Sequence, residues 1–544
     1  MAKSTASANE AKTRRGVWAL WSALAGIVSA AAFLAVAELV ALLVARESSP
    51  ILAVGAFVID IVPQPLKEFA IATFGSADKI VLLGSLALAV VVAAAIAGIL
   101  QFFARPFGVI VIALAGVIST AAIVTRTGAS PLAFVPPVIG TLAGVIILVF
   151  LITRLRRWAG AAGAADVAAA ADAVNPTTPA YPAAEQRGLG RRSFLVATGG
   201  VGLAAVIVGV GARLLNATSA SVDALRRELR IPEPRSTVTI PDGAELDVEG
   251  ISPLITPNAD FYRVDTALTV PSVDPTTWRL VIDGMVDQRV ELSFDDLVGM
   301  GLDEYAVTLT CVSNEVGGGL VGNAIWQGIP IRDILRMAGP QSGADMVLSK
   351  SVDGYTASTP LEALTDDSRD AIFAVAMNGE PLPLEHGFPV RMVVPGLYGY
   401  VSATKWVTEL KVTTFEADEA YWTPRGYAAE APIKFSSRID TPRTGTPVAA
   451  GTVAIAGMAW AQTVGIDRVE VRIDDGDWQA ATISTPINAD TWVQWMLEWQ
   501  AEAGTHYVEV RAVNKNGDTQ VEERAPIAPD GSSGWQRVLV TVSA

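Results

Sequence analysis

The one cysteine of the chain, Cys311, is its most chemically versatile side chain. It stands in "YAVTLTCVSNEVGGGLVGNAIWQGIPI", where a strand-like run ends and a loop rich in Asn and Gly begins. One cysteine forms no intramolecular disulfide, and no multi-cysteine zinc or iron–sulfur site can be built from it. A lone cysteine is most often a small buried hydrophobe. Two features weigh the other way. The thiol ends a strand beside a polar, Gly-rich loop, the kind of segment that holds ligands. If the chain is exported, an unoccupied thiol is open to oxidation, and a thiolate suits a soft metal. A second informative stretch, "GRRSFLVATGGVGLAAVIVGVGARLL" (190–215), sets Arg191 and Arg192 before a Gly-rich apolar run. That pattern resembles a twin-arginine signal, the address of proteins exported already folded. The simpler alternative is a pair of positive-inside anchors.

These residues must be carried by two different kinds of chain. Apolar residues make up 51% of the 544 positions, more than a soluble domain needs, and the excess lies at the front. Residues 1–215 carry 16 Lys+Arg against 9 Asp+Glu, whereas residues 216–544 carry 24 against 46. A strongly acidic second part argues against nucleic-acid binding, which needs a basic surface. About 20 apolar residues cross a bilayer core, and that length predicts five spans, near 17–44, 80–103, 106–125, 132–153 and 194–215. The stretch 51–74 is apolar but broken by Asp60, Pro63, Pro65, Lys67 and Glu68, and reads as re-entrant or interfacial. Lys12, Arg14, Arg15, Arg105, Arg154, Arg156, Arg157, Arg191 and Arg192 all fall on one side of five spans. That side is cytoplasmic by the positive-inside rule, which puts the acidic part outside. The expected organisation is a four-span region (1–157), a cytoplasmic Ala/Pro/Gly-rich linker (158–190), and the arginine pair with a fifth span (191–220).

The acidic part is rich in predicted strands. "YRVDTALTV", "WRLVIDG", "VELSF" and "YAVTLTC" cluster apolar residues between turns, and "SFDDLVGM" and "IRDILRMAG" have helical spacing. This predicts an α+β domain over 250–432. From 433 to 544, "TVAIAGMAWA", "RVEVRIDDGDWQAATI", "TWVQWMLEW" and "HYVEVRAVNKNGDTQ" read as hairpins, with Asp475-Gly476 and Asn516-Gly517 as turn pairs. Regular short strands predict an immunoglobulin-like β-sandwich without the disulfide.

Taken together, "TLTCVSN", "MNGEPLPLEHGFPVRMVVPGLYGYVSATKW" and "FYRVDTALTVP" resemble the sulfite oxidase family of molybdopterin enzymes over about residues 255–544. The resemblance implies a molybdenum–molybdopterin cofactor, with Cys311 as catalytic metal ligand. It implies that His386 and Arg391, spaced as in the family's H-G-F-P-V-R, bind the pterin and its phosphate, with Lys405, Ser402 and Thr404 adding phosphate contacts. Tyr262 and Arg263 match the segment passing the metal, and Asp353 in "SVDGYTAS" is a looser pterin contact. Those residue types suit such a ligand, since phosphate takes Arg, Lys and hydroxyls, and a pterin ring takes His and Asp. In the family the C-terminal sandwich serves dimerisation. Three positions depart from the pattern. Val264 stands where the sulfite oxidases carry an arginine, Val375 where they carry a catalytic tyrosine, and Glu315 where a basic residue is common. Each would bind or manage a small dianion, so sulfite as the substrate is in question.

The expectation is an oxidoreductase of the cell membrane, multi-pass, its catalytic domain extracytoplasmic, transferring an oxygen atom to or from a small substrate. Residues 2–215 contain no His, Met or Cys, so the front lacks the usual haem ligands. No haem is expected in this chain, and a separate cytochrome or quinone-linked protein would exchange the electrons. The alternatives are an S- or N-oxide reductase of the methionine sulfoxide reductase type, or a non-enzymatic exported binding module.

Overall fold

The computed structural model describes residues 2–44, 78–124, 132–174, 183–215, 218–267 and 270–544. It divides into two compact units, Met1–Thr218 and Ser219–Ala544. The first consists of helices α1 (Ala2–Val44), α2 (Asp78–Phe103), α3 (Phe107–Val124), α4 (Val135–Val174) and α5 (Ala183–Leu215). All five contain segments long and apolar enough to cross a membrane, Arg15–Val44, Val81–Phe103, Phe107–Val124, Val135–Ala162 and Gly190–Gly209. Their shared core joins Ala25, Ala97, Ile112, Leu148, Leu151, Leu155 and Phe194. Small residues bring α1 and α2 together: a Cβ at Gly26 would lie 2.0 Å from the Ala94 carbonyl. The stretch read as a linker is helical as far as Val174 and again from Ala183. Its alanines have the highest helix propensity and continue the spans. The segment read as re-entrant, 51–74, lies outside the described residues.

The second unit opens with an α+β region. Its strands are β1 (Arg279–Gly284), β2 (Val290–Ser293), β3 (Asp303–Thr310), β4 (Val321–Pro330), β5 (Met346–Ser351), β6 (Thr356–Pro360), β7 (Ile372–Met377), β8 (Glu380–Pro381), β9 (Arg391–Val393) and β10 (Val407–Thr413). One sheet has the order β2-β1-β10-β5-β6, with β1 parallel to β10 and the other pairs antiparallel. The other runs β3-β4-β7-β8, with β9 also on β7. "IFAVAM" of β7 is an unbroken apolar run because both its faces are covered. Phe373 and Val375 join the core shared with the first sheet, while Ile372 and Ala374 pack with Phe261, Trp326 and Phe388. The two predicted helices form at Phe294–Gly299 and Ile331–Ala338, the first with a capping box from Ser293 and Asp296. One expectation fails: the described residues of "YRVDTALTV", 262–267 and 270, form no strand. Among its described residues, Tyr262, Val264, Asp265 and Thr266 line the cavity described below, and Arg263 pairs with Asp265.

The C-terminal region is β-rich: β11 (Ser436–Thr441), β12 (Val448–Ala449), β13 (Gly451–Trp460), β14 (Ile466–Ile473), β15 (Gln479–Ala480), β16 (Thr482–Ile483), β17 (Val493–Ala501), β18 (Gly504–Asn514) and β19 (Gln536–Ser543). Two sheets, β11-β13-β17-β16 and β12-β19-β18-β14-β15, share one core that includes Ile455, Trp495, Val469, Val510 and Val540.

Candidate active site

Cys311 immediately follows β3 and is 8% exposed. Its amide donates to Leu320 O (2.9 Å) and its carbonyl accepts from Asn314 N (3.0 Å), which closes the Gly-rich loop back on the strand end. The thiol faces a cavity that is partly open to solvent. Tyr262, Asp353, His386, Arg391 and Lys405 line the same cavity. Burial pushes the thiol pKa up, opposed by hydrogen bonds at Ser313 and the charge of Lys405.

His386 ends a one-turn 3₁₀ helix, Leu384–His386, and Arg391 opens β9. Burial and the charge of Arg391 lower the His386 pKa to about 4, so the imidazole is neutral at pH 7. Its Nε2 lies 3.2 Å from Asn258 O. That carbonyl can only accept, which assigns the ring proton to Nε2 and leaves Nδ1 as an acceptor. Arg391 is 5% exposed, donates to Met392 O (3.3 Å) and His386 O (3.2 Å), and sits 5.0 Å above the Trp326 ring. Among the described residues it has no carboxylate partner, and burial lowers its pKa to about 10. Lys405 is lowered to about 8, chiefly by burial, while Asp265 holds its Nζ at 2.8 Å. Asp353 accepts from Tyr355 N (3.2 Å) and Thr266 Oγ1 (3.4 Å).

Three expected contacts are placed elsewhere. Arg263 pairs with Asp265 (2.9 Å), half-exposed and outside the cavity lining. Ser402 Oγ donates to Leu397 O (3.1 Å) and Tyr398 O (3.0 Å). Thr404 Oγ1 meets Ser349 Oγ at 2.7 Å. Both hydroxyls satisfy the fold's own polar groups, as buried hydroxyls must, and neither lines the cavity. Val375, where a tyrosine was expected, is fully buried in the core of β7 and does not line the cavity. Sequence reasoning missed Ser351, Asp265 and an aromatic wall of Tyr355, Tyr400, Trp406, Trp422 and Tyr427. Ser351 and Tyr355 flank Asp353 in "SVDGY", and Asp265, Tyr400 and Trp406 lie inside the quoted family motifs, so these five gave a local signal.

Residues 267–422 match the family model of the oxidoreductase molybdopterin binding domain. Chicken sulfite oxidase is 30% identical over 321 residues, covering 50% of this chain and 69% of the chicken protein. The chain belongs to the sulfite oxidase family of molybdopterin oxidoreductases. Human mitochondrial sulfite oxidase is 33% identical over 340 residues, and the match spans 53% of this chain and 62% of the human protein. The crystal structure of the sulfane dehydrogenase SoxCD from Paracoccus pantotrophus aligns over 56% of this chain and 86% of that one, at 23% identity and a TM-score of 0.47.

Membership of the sulfite oxidase family makes the chain an enzyme and implies a molybdenum–pterin cofactor. The cavity fits such a group. It offers a soft sulfur donor, and it buries a guanidinium that has no carboxylate partner among the described residues, an arrangement that costs free energy until an anion arrives. Ser351 Oγ, also in the lining, is buried with no hydrogen-bond partner among the described residues, and a polar ligand atom would satisfy it.

Proposed function

We propose that this chain is a membrane-anchored, extracytoplasmic molybdopterin enzyme that transfers an oxygen atom to or from a small substrate. The single observation that carries the reading is that Cys311 lines one cavity with the buried cations Arg391 and Lys405. When bound, the cofactor supplies a metal that exchanges oxygen atoms and two electrons. Cys311 would hold the metal as thiolate, without the proton that burial favours in the free thiol. Arg391 takes the cofactor phosphate, the anion its buried site lacks. Lys405 joins it, held in place by Asp265. His386 offers Nδ1 to a donor on the pterin, and Ser351 and Asp353 complete the polar contacts. Tyr262 remains a protonated phenol because burial raises its pKa, and it faces the cavity as a hydrogen-bond donor.

The five apolar helices, the one-sided basic residues and the arginine pair support anchoring with the acidic unit outside. A chain loaded with its cofactor must fold before crossing, which is what a twin-arginine route permits. The two C-terminal sheets sharing a core support an immunoglobulin-like sandwich, and a homodimer through it follows the family. Electrons pass to or from a separate carrier protein.

A specific observation favours an S- or N-oxide as substrate over sulfite. Val264 is part of the cavity wall, and the Arg and Lys residues lining the cavity are Arg391 and Lys405, both deeply buried. Arg425 and Arg438, cations of the later part of the chain, do not line it. A wall of Tyr and Trp suits a neutral organic oxide better than a hydrated dianion. The test is metal and pterin analysis of the purified full chain, with Cys311→Ser beside it. Wild type should contain about one molybdenum per chain and the variant almost none; a metal-free wild type would end the reading. Turnover of a sulfoxide with reduced viologen, against sulfite with ferricyanide, separates the two substrate classes.

A further inference from the structure

The loop that follows Cys311 is gripped from the C-terminal β-rich region at three points. Ser532 Oγ donates to Asn314 O at 2.7 Å. Arg438 Nη1 donates to Gly318 O at 2.9 Å. The Gln536 side chain presses on Gly317: a Cβ there would lie 2.5 Å from Gln536 Nε2, and φ at Gly317 is +79°. Each gripping residue is itself fixed. Arg438 is 7% exposed, bonded to Asp440 (2.7 Å) and Ser252 Oγ (3.0 Å), and lies 5.9 Å above Trp492. Gln536 Oε1 accepts from Ile439 N at 2.6 Å. From inside, the loop is closed by Asn314 Oδ1 accepting from Leu320 N (2.8 Å). Asn314 is thus bonded on one side to the strand end carrying Cys311 and on the other to Ser532.

We infer that the C-terminal region is a clamp for the loop of the sulfur ligand, with Ser532 and Arg438 as positioning residues for Cys311. Two of the three points of grip are backbone carbonyls and the third requires a glycine at 317, so the clamp resists displacement of the loop's main chain. Arg438 ties two separate stretches, around Ser252 and Gly318, to β11, which a planar fork of donors can do and an ammonium cannot. The role of the loop as ligand carrier rests on the function proposed above; the grip itself does not.

The chain provides its own probe, because Cys311 is its one thiol. The rate of alkylation of the detergent-solubilised full chain, made in cells unable to synthesise the pterin, reports exposure of the thiol, which opening of the loop increases. Losing one hydrogen bond of ordinary strength should speed labelling about fivefold in Ser532→Ala, and Arg438→Lys should label faster as well. Ser437→Ala is the control: it removes a buried hydroxyl contact of the same region, to Gln520 at 2.7 Å, that does not touch the loop. It should label at the wild-type rate. Wild-type rates in Ser532→Ala and Arg438→Lys would overturn the clamp, as would equal acceleration in Ser437→Ala. Molybdenum missing from wild type made in competent cells would instead remove Cys311 as the ligand and leave the labelling comparison standing.

Discussion

Arg391 and Lys405 are both buried cations beside the same cavity, yet their surroundings differ. Lys405 has Asp265 at 2.8 Å, whereas Arg391 has carbonyls, an indole face and no carboxylate among the described residues. A buried charge without a counter-ion is costly, and replacing it by an apolar residue of similar size can stabilise a fold. Arg391→Met is therefore expected to lower molybdenum and pterin content by about 10- to 100-fold, the worth of a charge-assisted contact. The melting temperature of the cofactor-free chain should stay the same or rise. A cofactor-free variant that melts well below wild type would show that Arg391 serves the fold first. The residue scale is also where sequence and structure part. "HGFPVR" is legible because its members lie close in sequence. The partner of Lys405 lies 140 residues away and could not be read from spacing.

At the scale of elements, the loop after β3 combines a demanded backbone with a demanded absence of side chain. Gly317→Ala meets both penalties, the positive φ and the Gln536 side chain, and is expected to cost about 1–3 kcal/mol in unfolding free energy, read by denaturant titration. A second element prediction concerns β18. His506 Nδ1 lies 2.6 Å from Asp474 Oδ2 and Nε2 lies 3.0 Å from Glu502 O. The hydrogen bond to Asp474 is the main cause of a raised imidazole pKa. A group whose pKa is raised by folding stabilises the fold in full below its unfolded value, about 6.5, and loses that contribution as pH climbs through the raised value. The melting-temperature gap between wild type and His506→Gln should thus be largest just below pH 6.5 and close at higher pH. The pair is partly exposed, so its worth is about 1 kcal/mol or less. A gap that widens with pH would reverse the assignment. Strands β1–β3 and β13–β18 and the helices at Phe294–Gly299 and Ile331–Ala338 were legible from apolar spacing and turn residues. The segment at 262–267 was not, because its alternation serves a cavity wall and an ion pair instead of a ladder.

For the whole molecule, the two halves differ in charge, hydropathy and fold, and the arginine pair stands at the start of the last apolar segment of the first unit. If Arg191 and Arg192 are an export address, Arg191→Lys with Arg192→Lys should leave the acidic unit inside the cell with its cofactor loaded, as protease protection in intact cells would report. If they are only anchors, lysine serves equally and the unit reaches the outside. The same purified material tests the electron route. A haem Soret band in the single chain would contradict the expectation that the helices carry no haem.

The apolar spans, the acidic second half, the strand periodicities and the family motifs are all properties of neighbouring residues, and nearest-neighbour pattern was enough to reveal them. Which side chains enter the cavity was settled by packing between distant segments. Ser402 and Thr404 turned away because nearby backbone and Ser349 claimed their hydroxyls, while Ser351 was left facing the space unpaired among the described residues. The grip on the Cys311 loop has the same origin: Ser532 reaches Asn314 across 218 residues. A hydrogen bond forms where two groups are brought within about 3 Å, and over such separations only the completed fold sets that distance.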